Sequence, residues 1–179
     1  MRKILVNKLP RIIKARKKLE KKLNVKINNK GREIILEGDA EDEYIAEKVI
    51  DALDFGFSMK NALLIKERDY MFEIINIKKH TRRKNLKAIK ARIIGTKGGT
   101  LSTLKELTKC FFEIKDNKVG IIGDPLLIKN AQDAVIKLIQ GSRQANVYSY
   151  LEKHQVKPIM DLGLKKPNKG DKEIKESKR

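Results

Sequence analysis

The chain has 179 residues, enough for one medium domain or two small ones, and its 42 Lys+Arg against 23 Asp+Glu give a formal charge of +19. This excess predicts a polyanionic partner, because the interspersed ion pairs of a heat-adapted surface would leave the net charge near zero. One cysteine excludes an internal disulfide. The lack of a signal peptide or a long apolar run predicts a cytoplasmic protein that does not enter membranes.

A short strand, a basic helix, two strands joined by a turn and a second helix are predicted in the first part of the chain. The second helix begins at Gly38–Asp39, where the aspartate is suited to be its N-cap, and continues through apolar positions at helical spacing. The predicted strands and the basic helix are, in chain order, residues 2–6, 11–23, 25–27 and 33–36.

The basic helix places Ile12, Leu19 and Leu23 on one face and lysines on the others. Lysines in this arrangement can contact phosphates without regard to sequence, or they can form a solvated face. The pattern favours neither interpretation over the other. The lysines are Lys14, Lys17, Lys18, Lys21 and Lys22.

The segment after the second helix is too apolar for a flexible linker. Ser58 is suited to be the N-cap of a short helix within it. We therefore expect this junction to pack the two parts of the chain together as one rigid body. Its large apolar residues are Phe55, Phe57, Leu63 and Leu64.

The second part of the chain is organised around Gly95-Thr96-Lys97-Gly98, which follows an apolar pair and precedes a predicted helix over 101–108. The two glycines let the backbone turn sharply and approach another molecule closely. Peptide N–H groups at the start of the next helix point toward any anion that docks there. Thr96 adds a hydroxyl donor and Lys97 a full charge, so the loop is predicted to bind the phosphates of RNA.

The elements around this loop occur in the order strand, helix, Gly-x-x-Gly, helix, strand, strand, helix. This order, with Ile94-Gly-x-x-Gly-x-x-Leu101, resembles the KH domain of the eukaryotic-type (type I) topology. The resemblance implies a loop that clamps about four nucleotides by their backbone, beside an apolar groove that reads the bases. The predicted elements are a strand over 71–77, a helix over 81–92 with Thr81 as N-cap, strands over 110–115 and 119–122, and a helix opened by Asp124–Pro125.

The first part of the chain repeats the second at an offset of 85 residues (124 − 39), since Gly38–Asp39 corresponds to Gly123–Asp124. The same offset places Pro10 against Gly95, so the first copy has no Gly-x-x-Gly and too few residues for the helix before it. The predicted fold class is α+β, with two tandem KH-like (type I) units, the first truncated, and a disordered basic C-terminal tail. The predicted domains are a degenerate KH-like unit (1–54), a packed junction (55–69), a KH domain (70–141), a terminal helix (142–154) and the tail (155–179).

The tandem carries a more specific resemblance, to the archaeal KH-domain small-subunit ribosome assembly factors, relatives of the eukaryotic pre-rRNA processing protein called partner of Nob. It implies binding of single-stranded rRNA near the 3′ end of the small-subunit rRNA. It also implies contact with a PIN-domain endonuclease and with the alpha subunit of initiation factor two. The truncated first unit departs from the family pattern. The shared segments are Val25-Lys-Ile27, Asp54-Phe-Gly-Phe-Ser58, Arg92-Ile-Ile-Gly95 and Val147-Tyr-Ser-Tyr-Leu-Glu152.

The RNA-binding residues are expected in and around the Gly-x-x-Gly loop. The backbone N–H groups of Gly95 to Gly98 are expected to contact two phosphates. Arg92 is expected to reach a neighbouring phosphate or to pair with a local carboxylate, and Lys118, in the loop between two strands, to clamp the far side. The predicted RNA-binding set is Arg92, Ile94, Gly95, Thr96, Lys97, Gly98, Gly99, Leu101 and Lys118.

Apolar residues near the loop are candidates for the floor of the groove. These are Ile94, Leu101 and Leu104, although Leu104 fits the hydrophobic core better. In the strand over 110–115, alternation predicts that the side chains not in the core face outward, some of them toward the edge of the groove. Those side chains are Phe111, Glu113 and Lys115.

No catalytic, metal or cofactor site is predicted. His80 and His154 lie far apart without the spacing of metal ligands, and Asp39 and Asp124 are explained as helix N-caps. We expect a monomeric RNA-binding scaffold without enzymatic activity. The alternative is a KH-type subunit of an exosome-like RNA-degradation complex, which is disfavoured because no five-stranded barrel pattern precedes the KH unit.

Overall fold

Two three-stranded antiparallel sheets, each packed against helices, form the protein in a computed structural model that describes residues 1–154. The predicted basic tail, residues 155–179, lies outside the described part of the chain. The elements are β1 (Arg2–Leu5), α1 (Leu9–Leu23), β2 (Lys26–Lys30), β3 (Glu33–Glu37), α2 (Ala40–Phe55), α3 (Met59–Glu67), β4 (Met71–Asn76), α4 (Leu86–Ile94), α5 (Gly99–Thr108), β5 (Phe111–Lys115), β6 (Lys118–Gly123), α6 (Pro125–Gln140) and α7 (Gln144–Lys153). Short 3-10 turns cover Ile77–His80 and Thr96–Gly98.

The two sheets have the same topology, β1-β3-β2 in the first and β4-β6-β5 in the second. The offset of 85 residues also reproduces the strand register, because Ile27 pairs with Leu36 and Phe112 pairs with Ile121. Helix α2, shifted by 85, has the bounds of α6, since 40 + 85 = 125 and 55 + 85 = 140. The predicted α+β fold with two tandem KH-like units is confirmed.

The first unit lacks a segment that the second unit has between its first strand and its second helix. Helix α1 ends at Leu23 and α5 ends at Thr108, which keeps the offset of 85. Arg2 pairs with Leu36, whereas the counterpart of Leu36 pairs with Glu73, so the first strands differ by only 71. The missing 14 residues (85 − 71) are those that form α4 and the Gly-x-x-Gly loop in the second unit. The predicted truncation is therefore confirmed.

Helix α3 occupies the position in the first unit that α7 occupies in the second, because 59 + 85 = 144. Each unit thus ends in one extra helix after its KH-like core. We therefore propose that residues 55–69, predicted as a junction, belong to the first unit as its C-terminal helix. Ser58 caps α3 as predicted, since its Oγ accepts a hydrogen bond from the backbone N–H of Asn61 at 3.2 Å.

Two of the predicted helix starts differ from the structure. Helix α4 begins at Leu86 instead of near Thr81, because the side chain of Asn85 accepts from the N–H of Ala88 at 3.0 Å and caps the helix. Asp124 caps α6 through the N–H of Leu126, but the side chain of Asp39 makes no capping bond. At that end Glu43 is instead the acceptor, from the N–H of Gly38 at 3.1 Å.

The outer face of the second sheet is covered by aromatic residues from the end of α2. The ring centroids of Phe55 and Phe57 are 6.0 Å apart, and both rings meet Phe72 of β4 edge-on, at 6.0 and 5.7 Å. Gly120 of β6 lies directly beneath them, since a Cβ there would be 2.8 Å from a ring carbon of each of Phe55 and Phe57. The missing side chain at Gly120 lets the two units pack closely.

This cover makes one prediction wrong. Phe111, Glu113 and Lys115 do alternate with core residues of β5, but they face the first unit instead of solvent or a groove. Phe111 packs against the first unit's core, and the Nζ of Lys115 donates to the backbone oxygen of Asp54 at 2.9 Å. Strand alternation identifies the two faces of a strand but does not show what covers each face.

Asp54 connects both units through its carboxylate. Its oxygens accept from the N–H of Asn7 at 2.7 Å and from the N–H of Lys8 at 2.6 Å, and the Nζ of Lys115 lies 3.6 Å away. Burial favours the neutral form, but these donors outweigh it and hold the pKa of Asp54 below its usual value.

The Asp54→Asn variant is expected to lose about 2 kcal/mol of the free energy of unfolding at pH 7, because the ionised acceptor of these bonds is gone. Since the folded-state pKa is lowered, this stabilisation is present above the unfolded pKa of about 3.9 and is lost as the pH falls through the folded value. Urea unfolding at pH 7 and near pH 2.5 measures the difference between wild type and variant. An unchanged difference at the lower pH would contradict the linkage.

Candidate nucleic-acid interface

The Gly-x-x-Gly loop joins the end of α4 to the start of α5 by a sharp turn. Gly95 adopts φ +76°, and a Cβ there would be 2.6 Å from the backbone nitrogen of Thr100 and would clash with its Oγ1. Only glycine fits this position. Gly98 has φ +79° and Gly99 lies in helical geometry, and both have open space where a Cβ would point. The two later glycines therefore leave the outer surface of the loop accessible.

The N–H groups of the loop do not all point outward, which corrects the prediction for Gly95 and Gly98. Gly95 donates to the carbonyl of Ala91 at 2.8 Å, and Gly98 donates to the carbonyl of Gly95 at 3.2 Å. Among the described residues, no backbone carbonyl accepts from the N–H groups of Thr96 and Lys97. These two groups are available for a phosphate at the start of the ten-residue helix α5.

Lys97 is held in the left-handed region at φ +52° although it is not a glycine. Such a conformation is unfavourable for most residues and is found where the surrounding structure fixes it, often at functional loops. The side chains of Thr96 and Lys97 are both exposed. The loop therefore presents two amide donors, a hydroxyl and an ammonium group on one accessible turn.

The apolar residues beside the loop divide between surface and core. The side chain of Ile94 is 40% exposed and Leu101 is half-buried, so both can contact a ligand at the loop. Leu104 is fully buried and belongs to the core, as its alternative interpretation predicted. Ile94 and Leu101 remain candidates for the floor of a groove.

Arg92 makes contacts that the sequence did not predict. Its Nη2 donates to the carbonyl of Gly141 at 3.0 Å and to the carbonyl of Ser142, at the C-terminal end of α6. The predicted carboxylate partner is wrong, since cations are also favourable at a helix C-terminus. The guanidinium ties the segment between α6 and α7 to the end of α4, beside the loop.

Lys118 does not lie in a loop between strands, as predicted, but is the first residue of β6. It pairs with Lys115 and with Asn76, and the turn before it consists of Asp116 and Asn117 alone. A turn this short leaves Lys118 exposed at the end of the sheet.

One basic surface was missed in the sequence analysis. Between Glu73 and Glu106 the chain contains no acidic residue, and this run includes α4 and the loop. Part of it forms a pocket of about 410 Å³ lined by Lys78, Lys79, His80 and Arg82. The absence of acids over this length was the available signal, and it extends the positive surface well beyond the loop.

The described residues offer little for catalysis. Within residues 1–154, no group of three or more His, Cys, Asp or Glu side chains is placed to hold a metal ion. Burial raises the pKa of the Cys110 thiol to about 11, so the thiolate form required of a nucleophile is rare near neutral pH. No helix in this range has the length and apolar character needed to cross a membrane.

Residues 71–156 match the second KH domain of PNO1, described as a eukaryotic type KH domain (KH-domain type I). They form a PNO1-family KH domain. The chain as a whole is a relative of the PNO1 and Dim2 proteins. It is 28% identical over 150 residues to a KH domain-containing protein of Methanocaldococcus jannaschii, covering 80% of this chain and 66% of that one. It is 31% identical over 138 residues to the RNA-binding protein pno1 of Drosophila melanogaster, covering 73% and 58%.

Solved structures of Pyrococcus horikoshii proteins have the same fold as this PNO1-like chain. The crystal structure of Dim2p superposes with a TM-score of 0.78 at 27% identity, covering 85% of this chain and 98% of that one. A complex of a/eIF2alpha, aDim2p and rRNA contains a chain with a TM-score of 0.77 at 27% identity, covering 85% and 92%. The chain spans between half and two thirds of the length of the curated relatives described above and of those from Caenorhabditis.

Proposed function

We propose that this protein is an RNA-binding scaffold for single-stranded rRNA near the 3′ end of the small-subunit rRNA during ribosome assembly and pre-rRNA processing. The observation that carries the proposal is the loop, where the free N–H groups of Thr96 and Lys97 lie within a long segment without acidic residues. Such a loop binds backbone phosphates of single strands. The Emericella nidulans relative is named a pre-rRNA-processing protein, and the Pyrococcus structure is a complex with rRNA, which supports the choice of RNA.

The proposed role of the first unit is structural. It lacks α4 and the Gly-x-x-Gly loop, and it covers the outer face of the second sheet through Phe55 and Phe57. In this proposal the first unit stabilises the second, which holds the RNA without cleaving it. The exposed lysines of α1 add attraction that does not depend on sequence.

The partners follow from the same proposal. The a/eIF2alpha chain in the Pyrococcus complex supports the alpha subunit of initiation factor two as one partner. A PIN-domain endonuclease is proposed as the second partner, because a scaffold at an rRNA 3′ end would place the strand for cleavage by another protein. We propose that the protein acts in the cytoplasm as a monomer.

Copurification tests this function against the exosome alternative. Tagged full-length protein isolated from its source cells is expected to recover small-subunit rRNA precursors, enriched at the 3′ end when the bound RNA is sequenced. Recovery of a phosphorolytic ring instead would support the exosome alternative and contradict the proposal. In residues 1–69 the described structure is a second KH-like unit and not the five-stranded barrel expected of that alternative.

A further inference from the structure

A second pocket lies beside the Gly-x-x-Gly loop, between the loop and the extra helix α7. Its volume is about 480 Å³, within the range of small-ligand sites. Arg92, Thr96 and Thr100 line it from the side of the loop, and Gln144 and Tyr148 line it from α7. Because the pocket shares loop residues with the phosphate site, RNA held by the loop must pass its mouth.

The two α7 residues are placed to contact a flat polar group. Gln144 and Tyr148 are four residues apart and so lie on the same face of the helix. The Nε2 of Gln144 donates to Thr100 Oγ1 at 2.6 Å and to the carbonyl of Arg92 at 3.3 Å, which fixes the amide. Its Oε1 receives no hydrogen bond from any described residue. The ring of Tyr148 is only half-buried, whereas its neighbour Val147 is fully buried.

The internal repeat provides a comparison. At the offset of 85, the counterparts of Gln144 and Tyr148 in α3 are Met59 and Leu63, which pack against the first unit's core. The first unit has no Gly-x-x-Gly loop, and at these two positions it has apolar residues. Polar and aromatic side chains therefore occur only where the helix adjoins a loop that can bind RNA.

We propose that this pocket is a subsite for one nucleotide flanking the four in the KH groove, with its base stacked on Tyr148 and hydrogen-bonded to the Oε1 of Gln144. The inference rests on the proposed RNA-binding function and extends it. Aromatic stacking is a common way for proteins to hold an unpaired base. The guanidinium of Arg92, at the edge of the pocket, adds positive charge near the nucleotide's phosphate. The binding site thus covers five nucleotides instead of four.

The test compares RNA length and base content with the full-length protein. Overlapping four-nucleotide windows of the small-subunit rRNA 3′ end identify the core, and single nucleotides are then added at either end. A fifth nucleotide at one end is expected to tighten binding about tenfold, from the stacking of one base. An abasic fifth nucleotide is expected to lose this gain, and 2-aminopurine there is expected to change its fluorescence on binding.

Variants assign the gain to Tyr148. Tyr148→Ala is expected to abolish the gain while leaving the affinity for the four-nucleotide RNA unchanged, and Tyr148→Phe is expected to retain it. Tyr44→Ala, in the first unit, serves as the control and should behave as wild type. No gain at either end, an equal gain from the abasic nucleotide, or a gain that persists in Tyr148→Ala would overturn the subsite. If wild type binds none of the four-nucleotide windows, the proposed function itself fails, and the subsite with it.

Discussion

The Gly120→Val variant is expected to lose about 3 kcal/mol of the free energy of unfolding, because its side chain would occupy the space of the Phe55 and Phe57 rings. The strand beneath these rings is the central strand of its sheet, so it cannot shift without disturbing both of its neighbours. In the first unit the corresponding residue is Ile35 (120 − 85), where no such ring pair covers the sheet. Chemical denaturation followed by circular dichroism measures the loss.

Two further variants show whether the loss arises at this contact. Phe57→Ala alone is expected to cost about 3–5 kcal/mol, but combined with Gly120→Val the two costs should sum to less than their total, because each relieves the other's fault. Gly99→Ala is the matched control, since Gly99 has helical geometry and open space, and it should change stability little. Strict additivity of the pair would show that the rings do not lie over Gly120.

The Thr96→Asp/Lys97→Asp variant is expected to bind the 3′-end segment of small-subunit rRNA about 100-fold more weakly than wild type. Two carboxylates at the loop would repel phosphate and remove two donors, each worth about 1.5–3 kcal/mol when the bond involves a charge. The fold should survive, because both side chains are exposed and aspartate tolerates the left-handed conformation of Lys97 better than most residues. Fluorescence anisotropy with a labelled RNA measures the affinity, and circular dichroism confirms folding.

A charge-matched control separates the loop from general attraction. Lys17→Ala/Lys18→Glu in α1 lowers the net charge by the same amount at an exposed site far from the loop in sequence. It should weaken the cognate and a scrambled RNA equally and by less, and it should reduce the slope of affinity against salt. If the control weakens cognate binding as much as the loop variant does, the loop is not the specific site.

Much of the fold followed from local signals in the sequence. The repeat of Gly38–Asp39 at Gly123–Asp124 predicted the offset that the strand register then reproduced. Glycine spacing predicted the loop. These features depend on a few residues that are close in the chain, and for that reason a single sequence contains them.

The errors concern contacts between residues far apart in the chain. The cover over Phe111 and Lys115, and the bonds from Arg92 to the end of α6, depend on how separate elements pack. The assignment of Lys118 to a loop failed because the strands continue to within two residues of each other. The inward N–H of Gly95 depends on the exact path of the turn, which the pattern Gly-x-x-Gly does not specify.

The most direct test of the central claim, that RNA binds at the Gly-x-x-Gly loop of the second unit, is a map of amide chemical shifts. Isotope-labelled full-length protein is titrated with the four-nucleotide core RNA, and amide positions are followed by NMR. The account predicts that the largest changes occur at Thr96 and Lys97, whose N–H groups are free, with smaller changes at Ile94 and Leu101. Largest changes along α1, with the loop unaffected, would contradict it.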